Sequence, residues 1–293
     1  MAEAFATTFS DWEARSSTIP KLALKRLQLV EIQCAGIGPL LTRVVDLARL
    51  DALELYYCEA TRDFLNTLVQ FLAHQTGLEE LLIINWTPRT HATDFYGAAI
   101  RRHGPKLRIL LIEDAPYSYY DPNVPKTGER SFIAFQELCA NCPRLEQLAI
   151  APPSRDDKSD NIEPENVCNF VTSLKQLKNL VSLRLFVYPV CLTTYEGGQP
   201  VYDASSVESH LTQLMRWTAT ILFSKLNKSC PRFVALQIDA FRPSECTAGG
   251  NERTFAYLRH LLPSPIDHIT AVGRRVPKHT LSIEEPCNDI FDA

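Results

Sequence analysis

Nine cysteines and seven histidines carry most of the reactive chemistry in this chain, so their spacing is the first thing to test. Cys139 and Cys142 form a C-x-x-C pair, the spacing of a redox dithiol or of half a zinc site. A structural zinc site takes four ligands, normally two such pairs or added histidines at matched spacing. The chain has no second pair, so Cys139 and Cys142 read as structural cysteines, the usual state of a free thiol within an apolar pattern. No metal and no cofactor is expected. Gly36-Ile37-Gly38 lacks the third glycine and the strand-then-helix setting of a dinucleotide loop, and reads as a turn. There is no G-x-x-x-x-G-K-S/T, H-E-x-x-H, EF-hand loop or G-x-S-x-G. His74, His103 and His210 fall on or at the ends of helical stretches and read as surface or packing residues. A Cys–His nucleophile pair meets only in space. A hydrolase or transferase with an assembled Cys/His/Asp site therefore stands as the rival to a non-enzymatic reading.

The remaining signals are weak. Arg101-Arg102 and Arg274-Arg275 are pairs, not basic stretches, and the polar run Arg155–Asp160 mixes both signs; both read as solvated surface. Asn85-Trp86-Thr87 and Asn227-Lys228-Ser229 match the glycosylation pattern. Residues 1–20 lack a basic n-region and an apolar h-region, so no export is expected and these acceptors read as unused. Across 293 residues, 45% apolar and 22% charged, the formal net charge is −4. That balance attracts neither nucleic acid nor an anionic membrane. No run of 18 apolar residues is present to span one. An odd cysteine count without a disulfide framework points to a reducing compartment, cytoplasmic or nuclear.

The elements that would position any site come from one phrase said repeatedly, Leu-x-x-Leu-x-Leu. It occurs as Leu24-Leu27-Leu29, Leu50-Leu53-Leu55, Leu78-Leu81-Ile83, Leu107-Leu110-Ile112, Leu145-Leu148-Ile150, Leu180-Leu183-Leu185 and Phe233-Leu236-Ile238. A degraded copy, Leu281-x-Ile283, closes the series. The last two apolar positions alternate at period two, which predicts a short strand with one buried face. Between strands the spacing predicts helices over Arg62–Gln75, Asp94–His103, Ser131–Cys142, Glu165–Lys178, Ser205–Lys228 and Arg253–Leu262, with a shorter helical stretch over Leu40–Leu47. Marker leucines 27, 53, 81 and 110 are separated by 26, 28 and 29 residues, within the range of about 20–29 for leucine-rich repeats. Later steps are longer, with insertions at Asp114–Arg130, Ala151–Glu165, Val187–Ser206 and Phe241–Glu252. Each is expected to follow a strand and precede a helix, which places all four on one rim.

On these residues the chain resembles leucine-rich-repeat proteins of the ribonuclease-inhibitor-like type. More narrowly it resembles the repeat domain of fungal F-box/leucine-rich-repeat proteins, through helix ends that run straight into the next strand: Cys142-Pro143-Arg144-Leu145, Cys230-Pro231-Arg232-Phe233 and, more loosely, Gly104-Pro105-Lys106-Leu107. The resemblance implies an α/β solenoid of about seven to eight irregular repeats, with a curved parallel sheet on the concave side and helices on the convex side. Along the chain, residues 1–21 read as an N-terminal cap or flexible segment with Phe9 and Trp12 as packing residues, 22–285 as the repeat domain and 286–293 as an acidic tail. The chain departs from the family phrase in lacking an asparagine ladder: only Cys58 fits, while Ile32, Trp86, Ala115, Pro153, Tyr188 and Phe241 occupy the equivalent places. No F-box-like module precedes the first repeat, so the resemblance does not carry over contact with the ubiquitin-ligase adaptor. An F-box upstream of Met1 would instead make the chain part of a truncated gene model.

In a strand written Leu-x-Leu, the x residue and the residue after the second leucine face the concave side. One row is Gln28, Glu54, Leu82, Leu111, Ala149, Arg184, Gln237, Ser282. The other is Val30, Tyr56, Ile84, Glu113, Ala151, Phe186, Asp239, Glu284. Tyr56, Leu82, Ile84 and Leu111 fall on three consecutive strands spaced about 4.8 Å apart and should form one apolar patch. Such a patch marks an interaction site unless an insertion or the N-terminal segment covers it. Tyr117, Tyr119 and Tyr120 lie on the insertion that Leu111 feeds, beside Pro122 and Pro125. The expected function is a non-enzymatic, substrate-receptor-like protein-interaction scaffold. Its partner site is expected to comprise Tyr56, Leu82, Ile84, Leu111, Glu113, Tyr117, Tyr119, Tyr120, Arg184 and Phe186.

Overall fold

The computed structural model describes residues 21–30, 43–56, 59–60, 77–88, 92–114, 132–150, 164–189, 195–196, 199–200, 204–241, 253–261 and 269–276. The long path of its main sheet runs through β1 (Arg26–Val30), β2 (Ala52–Tyr56), β3 (Glu80–Pro88), β4 (Ile109–Asp114), β5 (Gln147–Ile150), β6 (Ser182–Pro189), β7 (Ala235–Phe241), β8 (Arg253–Leu261) and β9 (Ile269–Val276), while Tyr195–Glu196 and Gln199–Pro200 pair apart from it. Strands β1 to β9 pair in chain order into one open sheet, with the two-residue strand Glu59–Ala60 beside β3. The helices are α1 (Ala92–His103), α2 (Phe132–Asn141), α3 (Pro164–Leu174) and α4 (Ala204–Leu226). The result is an α/β architecture with a mostly parallel sheet, not closed into a barrel and compatible with a solenoid.

Register follows the phrase. Leu27, Leu53, Leu81, Leu110, Leu148, Leu183 and Leu236 pair directly from each strand to the next, all parallel. These leucines and their partners two residues on face the helices. There they join Ile100, Phe135, Leu138, Phe170, Val171, Met215 and Leu222 in one continuous core. Phe135 of α2 stacks on Phe170 of α3 at 4.9 Å between ring centroids, and Phe223 of α4 meets Phe233 at 5.0 Å. Sealing each such side chain away from water stabilises the fold by roughly 1.5–3 kcal/mol.

The turn into each strand also recurs. Leu107, Leu145, Leu180 and Phe233 donate their N–H to the carbonyls of Gly104, Cys142, Leu177 and Cys230 at 3.2, 3.2, 3.0 and 3.0 Å. The first apolar residue of these four phrases is thereby locked before the strand begins. Gly104 is glycine for a spatial reason: a Cβ there would lie 2.5 Å from the carbonyl oxygens of Asn141 and Ile100. Beneath the turns runs a second ladder. The carbonyl of Lys25 accepts from Asp51 and Ala52, that of Asp51 from Glu79 and Glu80, and that of Glu79 from Arg108 and Ile109. The series continues through Arg108, Glu146 and Val181 to Val234 and Ala235. Each unit is stitched to the next by the same pair of bonds, which answers where these backbone donors go.

Two expectations need correcting. Arg253–Leu262 is not a helix: Arg253–Leu261 is β8, antiparallel to β7, with Leu236 opposite Tyr257. Thr254-Phe255-Ala256-Tyr257 alternates, and Phe255 and Tyr257 are the core-facing pair. That is strand periodicity with two strand-favouring aromatics. Phe241–Glu252 therefore leads to a strand and not to a helix. Antiparallel β9 follows, without any leucine phrase to announce it, and packs against α4. Arg43 and Val44 are helical, but Val45 bridges to Leu22, so the stretch over Leu40–Leu47 is broken within its span. The helices expected over Asp94–His103, Ser131–Cys142, Glu165–Lys178 and Ser205–Lys228 are present with ends shifted by a few residues. The helix over Arg62–Gln75, Cys58, the segments over 1–20 and 286–293 and the copy at Leu281-x-Ile283 lie outside the described residues.

Candidate functional site

The sheet face away from the helices, called the front face below, is the side on which the sequence places binding residues. Tyr56, Leu82, Ile84, Leu111, Ala149 and Phe186 form a second apolar cluster there, separate from the helix-side core. The expected grouping holds. Its openness does not: Leu82, Ile84 and Leu111 are each 1% exposed, and Tyr56, Phe186 and Arg184 are also buried. The alternative of a covered patch describes this face. Glu113, opposite Ile84, is half-buried. Tyr117, Tyr119 and Tyr120 lie outside the described residues, as do Ala151, Ser282 and Glu284.

Two polar assemblies flank the apolar centre. At the β1 end, Arg26 Nη1 contacts Glu54 Oε1 at 2.6 Å and Arg26 Nη2 contacts Glu80 Oε2 at 2.7 Å. The Tyr56 hydroxyl donates to Glu54 Oε2 at 3.2 Å. At the other end, Asp239 gathers three donors: Arg184 Nε at 3.0 Å, Thr254 Oγ1 at 2.7 Å and Gln237 Nε2 at 3.3 Å. Arg184 also lies over the Phe186 ring, 4.7 Å from its centroid. All five of these residues are buried. The β6–β7 register shifts at this spot, between Ile238 and Ala240, as it does at a bulge or similar irregularity. Bulges re-aim side chains at such places. Ion pairs taken out of water recover their desolvation cost only with good geometry and further hydrogen bonds. The threefold donation to Asp239 supplies them.

One row nearer the strand starts, Gln147 and Ser182 stand opposite each other on β5 and β6. Gln147 Oε1 and Ser182 Oγ are buried and have no hydrogen-bond partner. Such an unmet group costs about 1–3 kcal/mol. At the outer end of the strand starts, Arg108 bridges Glu146 at 2.9 Å and Glu79 at 3.7 Å, with Arg232 on Glu146 at 3.9 Å. Glu146 holds the Arg108 guanidinium above its ordinary pKa, mainly through their hydrogen bond.

The residues first examined for chemistry lie elsewhere. Cys139, Cys142 and Cys230 are buried free thiols of the helix-side core. Burial pushes Cys142 up to about 12 and Cys230 to about 11. It raises Cys139 further, with Cys142 and Cys230 adding to the effect. These are thiols held in the protonated form, poor nucleophiles and poor ligands. Cys230 Sγ donates to the Leu174 carbonyl at 3.5 Å. His103 is fully buried and its Nδ1 accepts the Leu78 N–H at 3.0 Å, a packing role at a helix end. Arg101 and Arg102 are exposed in the last turn of α1, where cations favour the helix dipole. Among the described residues no group of three or more His, Cys, Asp or Glu is placed to hold a metal. No helix among them is long and apolar enough to cross a membrane.

Sequence reasoning put Glu54, Gln237 and Asp239 in the front-face rows but not in the site. It missed Thr254, because β8 was read as helix. Gln147 and Ser182 belong to a third row, one residue before each marker leucine, that period two itself would have given. Against this geometry, a search of protein families and of curated proteins finds no match.

Proposed function

We propose that the chain is a leucine-rich-repeat solenoid of about seven to eight irregular repeats. It serves as a non-enzymatic, substrate-receptor-like protein-interaction scaffold, with the front face as its binding element. The in-register marker leucines and the repeated carbonyl ladder support the repeat reading. One observation carries the binding reading. An interior used only for packing is most stable when apolar or fully satisfied. This one instead holds a buried Arg184–Asp239 ion pair, beside unpartnered oxygens on Gln147 and Ser182 such as the helix-side core also has on Tyr257. Binding is coupled to opening of the face, so apparent affinity is the intrinsic affinity reduced by the open fraction.

The test is site-specific cross-linking in the cells that make the protein. A photoreactive residue replaces Glu113, half-buried on the front face, or Trp217, 63% exposed on α4. A discrete protein adduct from position 113 and none from 217 is the expected result. Adducts from 217 alone would place binding on the helix side and overturn the reading.

A further inference from the structure

Helices α1 to α4 hand over to their following strands at one end of the fold. Three contacts tie those ends into a row. Gly104, after α1, lies against the Asn141 carbonyl that closes α2. Asn179 Nδ2, after α3, donates to the Pro143 carbonyl, after α2, at 2.9 Å. Cys230 Sγ, after α4, meets the Leu174 carbonyl that closes α3. Along this row stand Arg101, Arg144, Lys175, Lys178, Lys225 and Lys228, all exposed. None of them has an ion pair among the described residues. Over 97–108, 137–146, 171–182 and 222–234 the carboxylates are Glu137 and Glu146 alone, and Glu146 is engaged by Arg108 and Arg232. A chain of net charge −4 thus carries a positive row that it does not itself neutralise. The helix dipole explains Arg101 and Lys225, which lie in last turns. It does not explain Arg144, Lys178 and Lys228, which stand beyond the helix ends, because the effect fades within the last turn.

We propose that this row docks an acidic, extended segment of a partner protein. Neighbouring helices pack about 8–10 Å apart, so four ends span roughly 30 Å. About nine residues of extended chain cover that length. Carboxylates along the segment pair in turn with the six cations. Two features favour a protein segment over a nucleic acid. The row exposes Pro105, Pro143 and Pro231 between its cations and, among the described residues, no aromatic ring, so bases have no platform on which to stack. A long polyanion would also run past the row onto a molecule that is acidic as a whole, whereas a short acidic segment ends where the row ends. Without an apolar anchor, the row acts through charge complementarity, which sets specificity and speeds encounter. It lies apart from the front face, and the inference does not depend on that face being a binding element.

Fluorescence anisotropy with the purified full chain tests it. The probe is a labelled nine-residue peptide with six glutamates, and its counterpart carries six glutamines. The glutamate peptide should bind about tenfold more tightly, and raised ionic strength should remove the difference. Lys178→Glu, in the middle of the row, should weaken the glutamate peptide about fivefold. Lys228→Glu, at the α4 end, must reproduce that loss. Arg216→Glu makes the same change of charge at an exposed position on α4, more than two turns before Lys225, and should leave binding within about twofold. Equal binding of the two peptides overturns the inference, as does an equal loss in Arg216→Glu and the row variants. A single-stranded hexanucleotide that binds more tightly than the glutamate peptide, and is weakened by Lys178→Glu, would assign the row to phosphate and also overturn it.

Discussion

Leu110 and Leu111 are neighbours on β4, each all but sealed from solvent, yet they belong to different interiors. Leu110 looks toward the helices, into a core made of apolar side chains from every unit. Leu111 looks the other way, into a smaller apolar cluster bounded by carboxylates, a buried ion pair and unpartnered oxygens. The first interior is assembled by what the repeated phrase demands. The second carries polar groups that packing alone does not require. Unpartnered polar atoms occur in both interiors, since the Tyr257 hydroxyl is one in the helix-side core; what sets the second apart is its buried Arg184–Asp239 ion pair.

The sharpest break of that comparison is at the ion pair. Asp239→Ala leaves Arg184 buried without its carboxylate and should cost about 3–5 kcal/mol in urea unfolding. A cost below about 1 kcal/mol would mean that water reaches Arg184 and the front face is already open. Next comes the leucine pair. Leu110→Ala should cost about 3 kcal/mol, within the range for core leucines. Leu111→Ala should cost roughly half of that, because a face that opens for a partner is less tightly packed. Equal costs would make the front face ordinary core.

The helix-side thiols give a pH signature. Cys142 and Cys230 are raised from 9.0 to about 12 and about 11 on folding. An acid whose folded value is raised contributes stability that is complete below 9.0. That contribution is lost as pH climbs through the folded value. Unfolding midpoints should therefore be insensitive to these thiols at pH 8 and fall from pH 9 toward 11. The slope is about 1.4 kcal/mol per pH unit for each thiol that ionises only in the unfolded chain. Cys142→Ala should flatten part of that fall; an unchanged alkaline slope would contradict the assignment. The smallest effect belongs to Ser182→Ala. Removing an oxygen that has no partner should leave stability within about 0.5 kcal/mol of wild type or slightly above it. A loss of more than about 1 kcal/mol would reveal a hydrogen bond essential to the closed face.

What the sequence made legible followed from strict periodicity. A strand whose one face must be buried has its register pinned, since a one-residue slip turns every side chain over. Thus the seven marker leucines sit opposite one another although up to 53 residues separate them, as with Leu183 and Leu236. Where the phrase stopped, so did the reading. Arg253–Leu261 has apolar residues at both helical and strand spacings, and its edge-on neighbours decide for strand. Arg274-Arg275 and Gly273 gave β9 no apolar pattern at all. Arg184 was read as a lone partner contact because its carboxylate lies 55 residues away and across a register shift. Pairings of that kind depend on irregularities in the strand that no composition rule records.

The antiparallel run at β7, β8 and β9 has a consequence for how the molecule acquires its shape. Each parallel neighbour must be fetched across an intervening helix or long excursion, whereas β8 meets β9 across a short one, with Leu258 opposite Val272. Close contacts along the chain lower the entropy of loop closure, so strands that are near in sequence pair first. We therefore expect β7–β9 and α4 to nucleate, with order spreading backward from β7 toward β1. Pulse-labelled hydrogen exchange during refolding should protect Phe255 and Tyr257 before Leu53 and Leu55. Protection in the reverse order would show that the parallel ladder assembles first. On this account the apolar faces of the earlier units wait in solvent until the last strands are made, and it is during that interval, before the sheet is complete, that the protein is most open to aggregation.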